Sequence, residues 1–327
     1  MLVRLFRSTQ LSAVIAFVIL SLAMGWMSYS YHFRIVTTAN TPFYILILKL
    51  YSGLPVYVYF ITVLLLVISQ ALHFNWILNK HEVLYKNSWM PAVVYMIIST
   101  ILPPFFWFHP LIFANTILLF ALDKLFYLYK NDYPLGYEFD SCLLMAMAAL
   151  FYFPLITFLA FYFISILLLR PFSWRDWVVG VLGFTIPFFF AFLYYFWNNK
   201  LLSFYERVFI SGIKRQIELH SVFVQGYTFT LLMVIAVSIL AIIRLRANFY
   251  KNVSRTRLNQ QVIIFYLVFG VLTVFVSYEE LLYRFCVLAL PLSIFVAYYL
   301  LSGKRLWIAE LILLLFLGSW IYNYLGS

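Results

Sequence analysis

The 327 residues are 65% hydrophobic and 22% aromatic, and only 10% are charged. A soluble domain is about 45–50% apolar and about 25% charged, so an ordinary soluble enzyme is excluded, and so is a disordered chain, which needs low hydrophobicity. Lys and Arg number 22 against 11 Asp and Glu, an excess read as the positive-inside bias of a membrane protein rather than as a nucleic-acid surface.

The first apolar run, Leu11 to Tyr29, follows Arg4 and Arg7. It exceeds the roughly 7–15 apolar residues of a signal peptide and no small-x-small site closes it, so the expectation is an uncleaved first span. Further runs lie at 55–73, 89–107, 110–129, 140–153, 155–169, 177–197, 227–245, 261–278, 285–302 and 306–324. The chain is therefore expected to be all-α, a polytopic transmembrane helical bundle of about eleven spans in one integral membrane domain over 1–327. The fifth and sixth runs are short for a ~30 Å core, and Pro154 between them predicts a tight hairpin or a broken pair.

Lys and Arg placement sets the orientation. With the N-terminus cytoplasmic, 15 of the 22 basic residues fall inside, among them the cluster Arg244, Arg246, Lys251, Arg255 and Arg257. The flipped topology would place that cluster outside, against the rule. The C-terminus is then outside, as are two segments longer than turns, Ser30–Leu54 and Asn198–Gly226. In the second, Leu202, Tyr205, Phe209, Ile213 and Ile217 recur about every four residues, with Glu206, Arg207, Lys214, Arg215 and Glu218 on the other side. That spacing predicts an amphipathic helix over 199–226 lying in the outer interface.

Chemistry-bearing patterns are few. There is no phosphate-binding glycine loop, no close His pair beside a carboxylate, and no zinc or redox spacing for Cys142 and Cys286, both read as small buried apolar residues. No metal or cofactor is expected. Asp123, near the inner end of the fourth run, is expected to pair with a basic residue such as Arg170, and Glu310 to be a helix-end charge.

The most suggestive cluster is Ser277-Tyr278-Glu279-Glu280-Leu281-Leu282-Tyr283-Arg284, at the outer mouth between the ninth and tenth runs. The spacing puts Glu280 and Arg284 on one helix face, which suits an ion pair anchoring the helix end. It also suits a site in which the Arg284 fork holds phosphate and Glu279 or Glu280 is a general base toward a sugar hydroxyl. Arg207, Lys214 and Arg215 suit an anionic lipid pyrophosphate, or plain anionic headgroups.

Two stretches resemble a known class. Tyr283–Leu301, YRFCVLALPLSIFVAYYLL, resembles a late span of GT-C glycosyltransferases, multi-span enzymes that use polyprenyl-phosphate-linked sugars at the outer membrane face. Leu143–Trp197, with LLLRPFSWRDW and GFTIPFFFAFLYYFW, resembles their middle part. That stretch, with NSWMPAVVY and HPLIFANTILLFAL before it, also resembles an uncharacterised family of bacterial inner-membrane proteins over most of the chain. The resemblance implies an inner-membrane protein that handles polyprenyl-phosphate-linked glycans, with membrane lipids and such a glycan as partners and no nucleic acid. One feature departs from it: GT-C enzymes typically carry an acid in the first outer loop, and Tyr31–Leu54 contains no Asp or Glu. That departure favours a second hypothesis, a non-catalytic subunit or scaffold of an envelope assembly with a protein partner. A secondary transporter, with Gln70 and Asn115 lining a path, ranks third.

Overall fold

The computed structural model describes residues 2–37, 39, 41–84, 86–206, 227–276, 281–303 and 305–325. The described residues are helical apart from connections and one isolated parallel bridge, Ile35 to Phe108. In chain order the helices are α1 Leu2–Phe6, α2 Leu11–His32, α3 Pro42–Tyr51, α4 Val56–Lys80, α5 Met90–Thr100, α6 Pro110–Phe126, α7 Leu135–Phe151, α8 Phe158–Leu169, α9 Trp174–Trp197, α10 Leu201–Tyr205, α11 Thr228–Ala247, α12 Ser254–Val276, α13 Leu281–Arg284, α14 Ala289–Ser302 and α15 Leu306–Leu325. Several starts are written in the sequence, because proline sits where a helix has no N–H to lose: Pro42, Pro91 and Pro110 occupy first-turn positions.

Among the described residues, seven helices are long and apolar enough to cross a membrane: Leu11–Ser30, Val56–Lys80, Trp174–Trp197, Thr228–Ala247, Ser254–Val276, Leu282–Ser302 and Leu306–Leu325. The fold is that of a multi-pass helical membrane protein. Four expected runs, 89–107, 110–129, 140–153 and 155–169, instead contain shorter helices, α5 to α8, of 11, 17, 17 and 12 residues. At 1.5 Å per residue, an 11-residue helix reaches only about 16 Å. Pro154 explains one break: α7 ends at Phe151, and a 3-10 turn, Phe153–Thr157, leads into α8.

Among the short helices, α5 is an interior one. Every residue of α5 is buried. Its neighbours α4 and α14 pack on it, and the Leu282–Ser302 span is 78% buried against 28–33% for α9, α2, α4, α11 and α15. Backbone that leaves a helix within a membrane protein is tolerated where protein, rather than lipid, surrounds it. The long helices face outward, with residues such as Leu65, Phe190, Leu232 and Leu314 exposed for lipid to cover. Close helix approach relies on small residues: a Cβ at Gly183 of α9 would lie 2.7 Å from the Phe139 carbonyl oxygen of α7.

One end of the bundle is basic and the other aromatic. At the aromatic end, the segment after α2 folds back as a cover. Val36 N–H donates to Phe108 O at 2.9 Å, Phe108 N–H to Arg34 O at 3.0 Å, and the one hydroxyl hydrogen of Tyr44 is shared between Val36 O at 2.7 Å and Phe108 O at 2.9 Å. Tyr51, Tyr59, Phe108 and Phe113 pack around that junction.

At the basic end, three α12 side chains seize consecutive loop carbonyls: Asn259 that of His81, Thr256 that of Glu82 and Gln260 that of Val83, at 2.8–3.1 Å. They hold Glu82 at φ 51°, a left-handed conformation that a glutamate adopts only when its surroundings over-determine it. Ser254, at the start of α12, is exposed, and both native cysteines are buried. Ser254→Cys therefore gives an addressable thiol. A membrane-impermeant maleimide should label it in inverted vesicles but not in intact cells; labelling in intact cells would reverse the orientation read from the basic residues.

Candidate functional site

Arg284 lies at the end of α13, where the chain enters a 3-10 turn, Phe285–Leu288, before α14. The side chain is buried, 3% exposed, and one guanidinium N–H donates to Val274 O at 3.2 Å in the last turn of α12. It borders a cavity of about 400 Å³ between α5, α11, α12 and α14. The walls are apolar, with Ile98, Val234, Val271 and Leu288 among them, and Arg284 is the charged residue among the described lining. Sites for small molecules occupy roughly 300–1,000 Å³ and combine apolar walls with a few placed polar groups. The shape suits an apolar chain with an anionic end.

The α13 turn divides this cavity from a polar nest on its other side. Tyr283 stacks on His109 at 5.0 Å between ring centroids, and Asn115 Nδ2 donates to Cys286 O at 3.0 Å. His109 Nε2 lies 3.2 Å from the Phe105 carbonyl, so that nitrogen carries the hydrogen and Nδ1 is the bare acceptor. His109 Nδ1, Asn115 Oδ1, Tyr266 Oη and Tyr283 Oη are all buried without a hydrogen-bond partner among the described residues.

Of the residues singled out in the sequence, Arg284 is among those described. Arg284 is buried beside the last turn of α12. Glu279 and Glu280 lie outside the described residues, as do Arg207, Lys214 and Arg215 and most of the 199–226 segment. Of that segment's apolar positions, Leu202 is exposed and Tyr205 is exposed. Gln70 is committed to the core: its Nε2 donates to Ile112 O and Thr116 Oγ1, and its Oε1 accepts from Tyr95. Cys142 and Cys286 are buried free thiols.

Asp123 corrects the expected pairing. Its partner is not Arg170 but His81, with Nε2 to Oδ1 at 2.7 Å, and Lys80 at 3.4 Å. Arg255 approaches His81 Nδ1 at 3.2 Å; since arginine can only donate, Nδ1 accepts and Nε2–H points to Asp123. Lys80 also lies over the Trp76 ring at 3.6 Å and the Tyr127 ring at 4.3 Å. This chain of charges binds the ends of α4, α6 and α12 together. Arg170 instead donates to Asn131 O at 2.8 Å and lies 3.9 Å from Asp176.

Sequence reasoning missed Glu138. It sits in the first turn of α7 at the basic end, just ahead of the apolar run that starts at 140, and is 0% exposed. Neither carboxylate oxygen has a hydrogen-bond partner among the described residues. Burial, and then the neighbouring Asp176 carboxylate, push its pKa up to about 7, with Arg170 opposing. An acid beside Pro-Leu-Gly reads as a loop residue; only the packing of α7 against α9 buries it.

Comparison of the chain with protein-family models, curated proteins and solved structures gives no match. Its function has to be argued from its own residues.

Proposed function

We propose that this chain is an inner-membrane protein that handles polyprenyl-phosphate-linked glycans at the outer face, in the manner of GT-C glycosyltransferases. The observation that carries the reading is the Arg284 guanidinium at the rim of an apolar cavity. A polyprenyl phosphate has that same polarity: a long apolar chain and one compact anion. In this reading the polyprenyl chain lies between α11 and α12 and its phosphate on Arg284. Glu279 or Glu280, on the residues just before α13, serves as base. The shorter helices α5 to α8 complete an eleven-leg bundle with the N-terminus cytoplasmic.

A second reading, a non-catalytic lipid-binding subunit, is favoured by one feature. The first outer segment, Tyr31–Leu54, has no carboxylate, and its described part is used as a packed cover held by Tyr44.

The test is binding of a polyprenyl phosphate to the purified protein, wild type beside Arg284→Lys. The lysine keeps the charge but loses the two-pronged fork. Affinity is expected to fall by about tenfold with the fold intact, the worth of about one charge-assisted hydrogen bond. Equal affinity, or none in the wild type, contradicts the reading.

A further inference from the structure

At the basic end, a different site is built around the C-terminus of α14. A helix C-terminus leaves carbonyls without partners, and cations gather there. Arg7 donates to the Leu300 and Gly303 carbonyls, and Arg244 donates to Ser302 O at 2.7 Å. The Arg244 guanidinium also lies 5.3 Å from the Tyr299 ring centroid, so hydrogen bond and ring together fix its plane. Arg305 follows in the link to α15. It is exposed and has no hydrogen bond or ion pair with any described residue.

Arg244, Tyr299 and Arg305 line a cavity of about 290 Å³ closed by Gly303, Ile308 and Ala309. No carboxylate is in that lining among the described residues. Glu310, the acid of the first turns of α15, accepts the Leu2 backbone N–H at 2.9 Å. Two guanidinium groups thus share a concave site whose described lining holds no acid.

We infer that this cavity binds the phosphate of an anionic glycerophospholipid, with Arg244 and Arg305 clamping the headgroup where the bundle meets the membrane surface. Guanidinium forks match phosphate oxygens in pairs, and basic pockets between membrane helices are suited to anionic headgroups. The lipid, rather than a soluble phosphate, is indicated by the two helices that flank the site, α11 and α15. On α11, Ile239 and Ile243 are 53% and 61% exposed; on α15, Leu311 and Leu315 are 48% and 46% exposed. These side chains give acyl chains an apolar surface continuous with the helices of the headgroup site. The inference is independent of Arg284, which lies at the other end of α12.

The experiment uses the full chain in mild detergent, titrated with phosphatidylglycerol or phosphatidylcholine and read by native mass spectrometry. A parallel arm adds glycerol 3-phosphate and reads thermal midpoint. The wild type is expected to prefer phosphatidylglycerol by about tenfold or more, as two basic contacts at a membrane surface would give. Arg305→Gln should cut that preference by about threefold or more, and Arg305→Lys should restore part of it. Arg305 holds no other element in place, so its loss leaves the fold standing; Arg244→Gln, which also releases Ser302 O, should weaken the preference too. Glycerol 3-phosphate should leave the midpoint unchanged. An unchanged lipid preference in Arg305→Gln overturns the site. Stabilisation by glycerol 3-phosphate that Arg305→Gln abolishes would assign it to a soluble phosphate and overturn the lipid.

Discussion

Glu138→Gln is expected to raise the thermal midpoint of the purified protein at pH 8 and to leave it almost unchanged near pH 4.5. Glu138 is fully buried, and its two carboxylate oxygens have no hydrogen-bond partner among the described residues. A charge in that position is disfavoured, first by lost hydration and then by the Asp176 carboxylate, which raises its pKa from 4.5 to about 7. In the unfolded chain the same acid titrates at its ordinary value. The native state therefore holds its proton more tightly. The stability this confers is complete below about pH 4.5, declines as pH rises to about 7, and stays lost above. At about 1.4 kcal/mol per pK unit, the difference amounts to at most about 3.5 kcal/mol. Glutamine keeps the shape of the protonated acid and cannot ionise, so the variant should lose this slope. A midpoint that depends on pH equally in both proteins would show that Glu138 is not the titrating group. Asp176, Arg170, Cys142 and Tyr162 are the ionisable groups coupled to it. Asp176→Asn is the companion variant and should lower the pH at which the slope ends.

The second large effect concerns Glu280. In the glycosyltransferase reading it or Glu279 removes a proton from the acceptor hydroxyl. Losing a general base costs about 10²–10⁴ in rate. Glu280→Gln and Glu279→Gln are each to be assayed for transfer from a polyprenyl-phosphate donor in reconstituted membranes. One of the two is expected to fall by that factor while donor binding, set by Arg284, stays near wild type. If Glu280 is instead the i,i+4 ion-pair partner of Arg284, its loss costs at most about 1 kcal/mol of stability and touches no rate. Transfer at the wild-type rate in both variants would remove the catalytic base from the account and leave the non-catalytic reading.

Much of the fold could be read directly from residue order, and for definite reasons. The seven long helices follow from unbroken apolar runs, and Pro154 marks the break between α7 and α8. Burial of Cys142 and Cys286 follows from their apolar neighbours. Hydropathy could not separate α5, a short helix buried on every side, from a helix that meets lipid, because both are uniformly apolar.

The site was legible only in outline. Arg284 stands out in a sequence because a cation is rare within an apolar run. His81 and Asp123 are 42 residues apart, so their pairing depends on how α4 and α6 meet. Arg255 joins them from a helix 174 residues further on. The orphaned atoms of His109, Asn115, Tyr266 and Tyr283 have no sequence signature, since orphaning is a property of packing.

The most direct test of the account is an experimental structure in a lipid bilayer with polyprenyl phosphate added. The account predicts phosphate density within hydrogen-bonding distance of Arg284, with the apolar chain running into the cavity between α11 and α12. A cavity that stays empty, with phosphate density absent from Arg284, would contradict it.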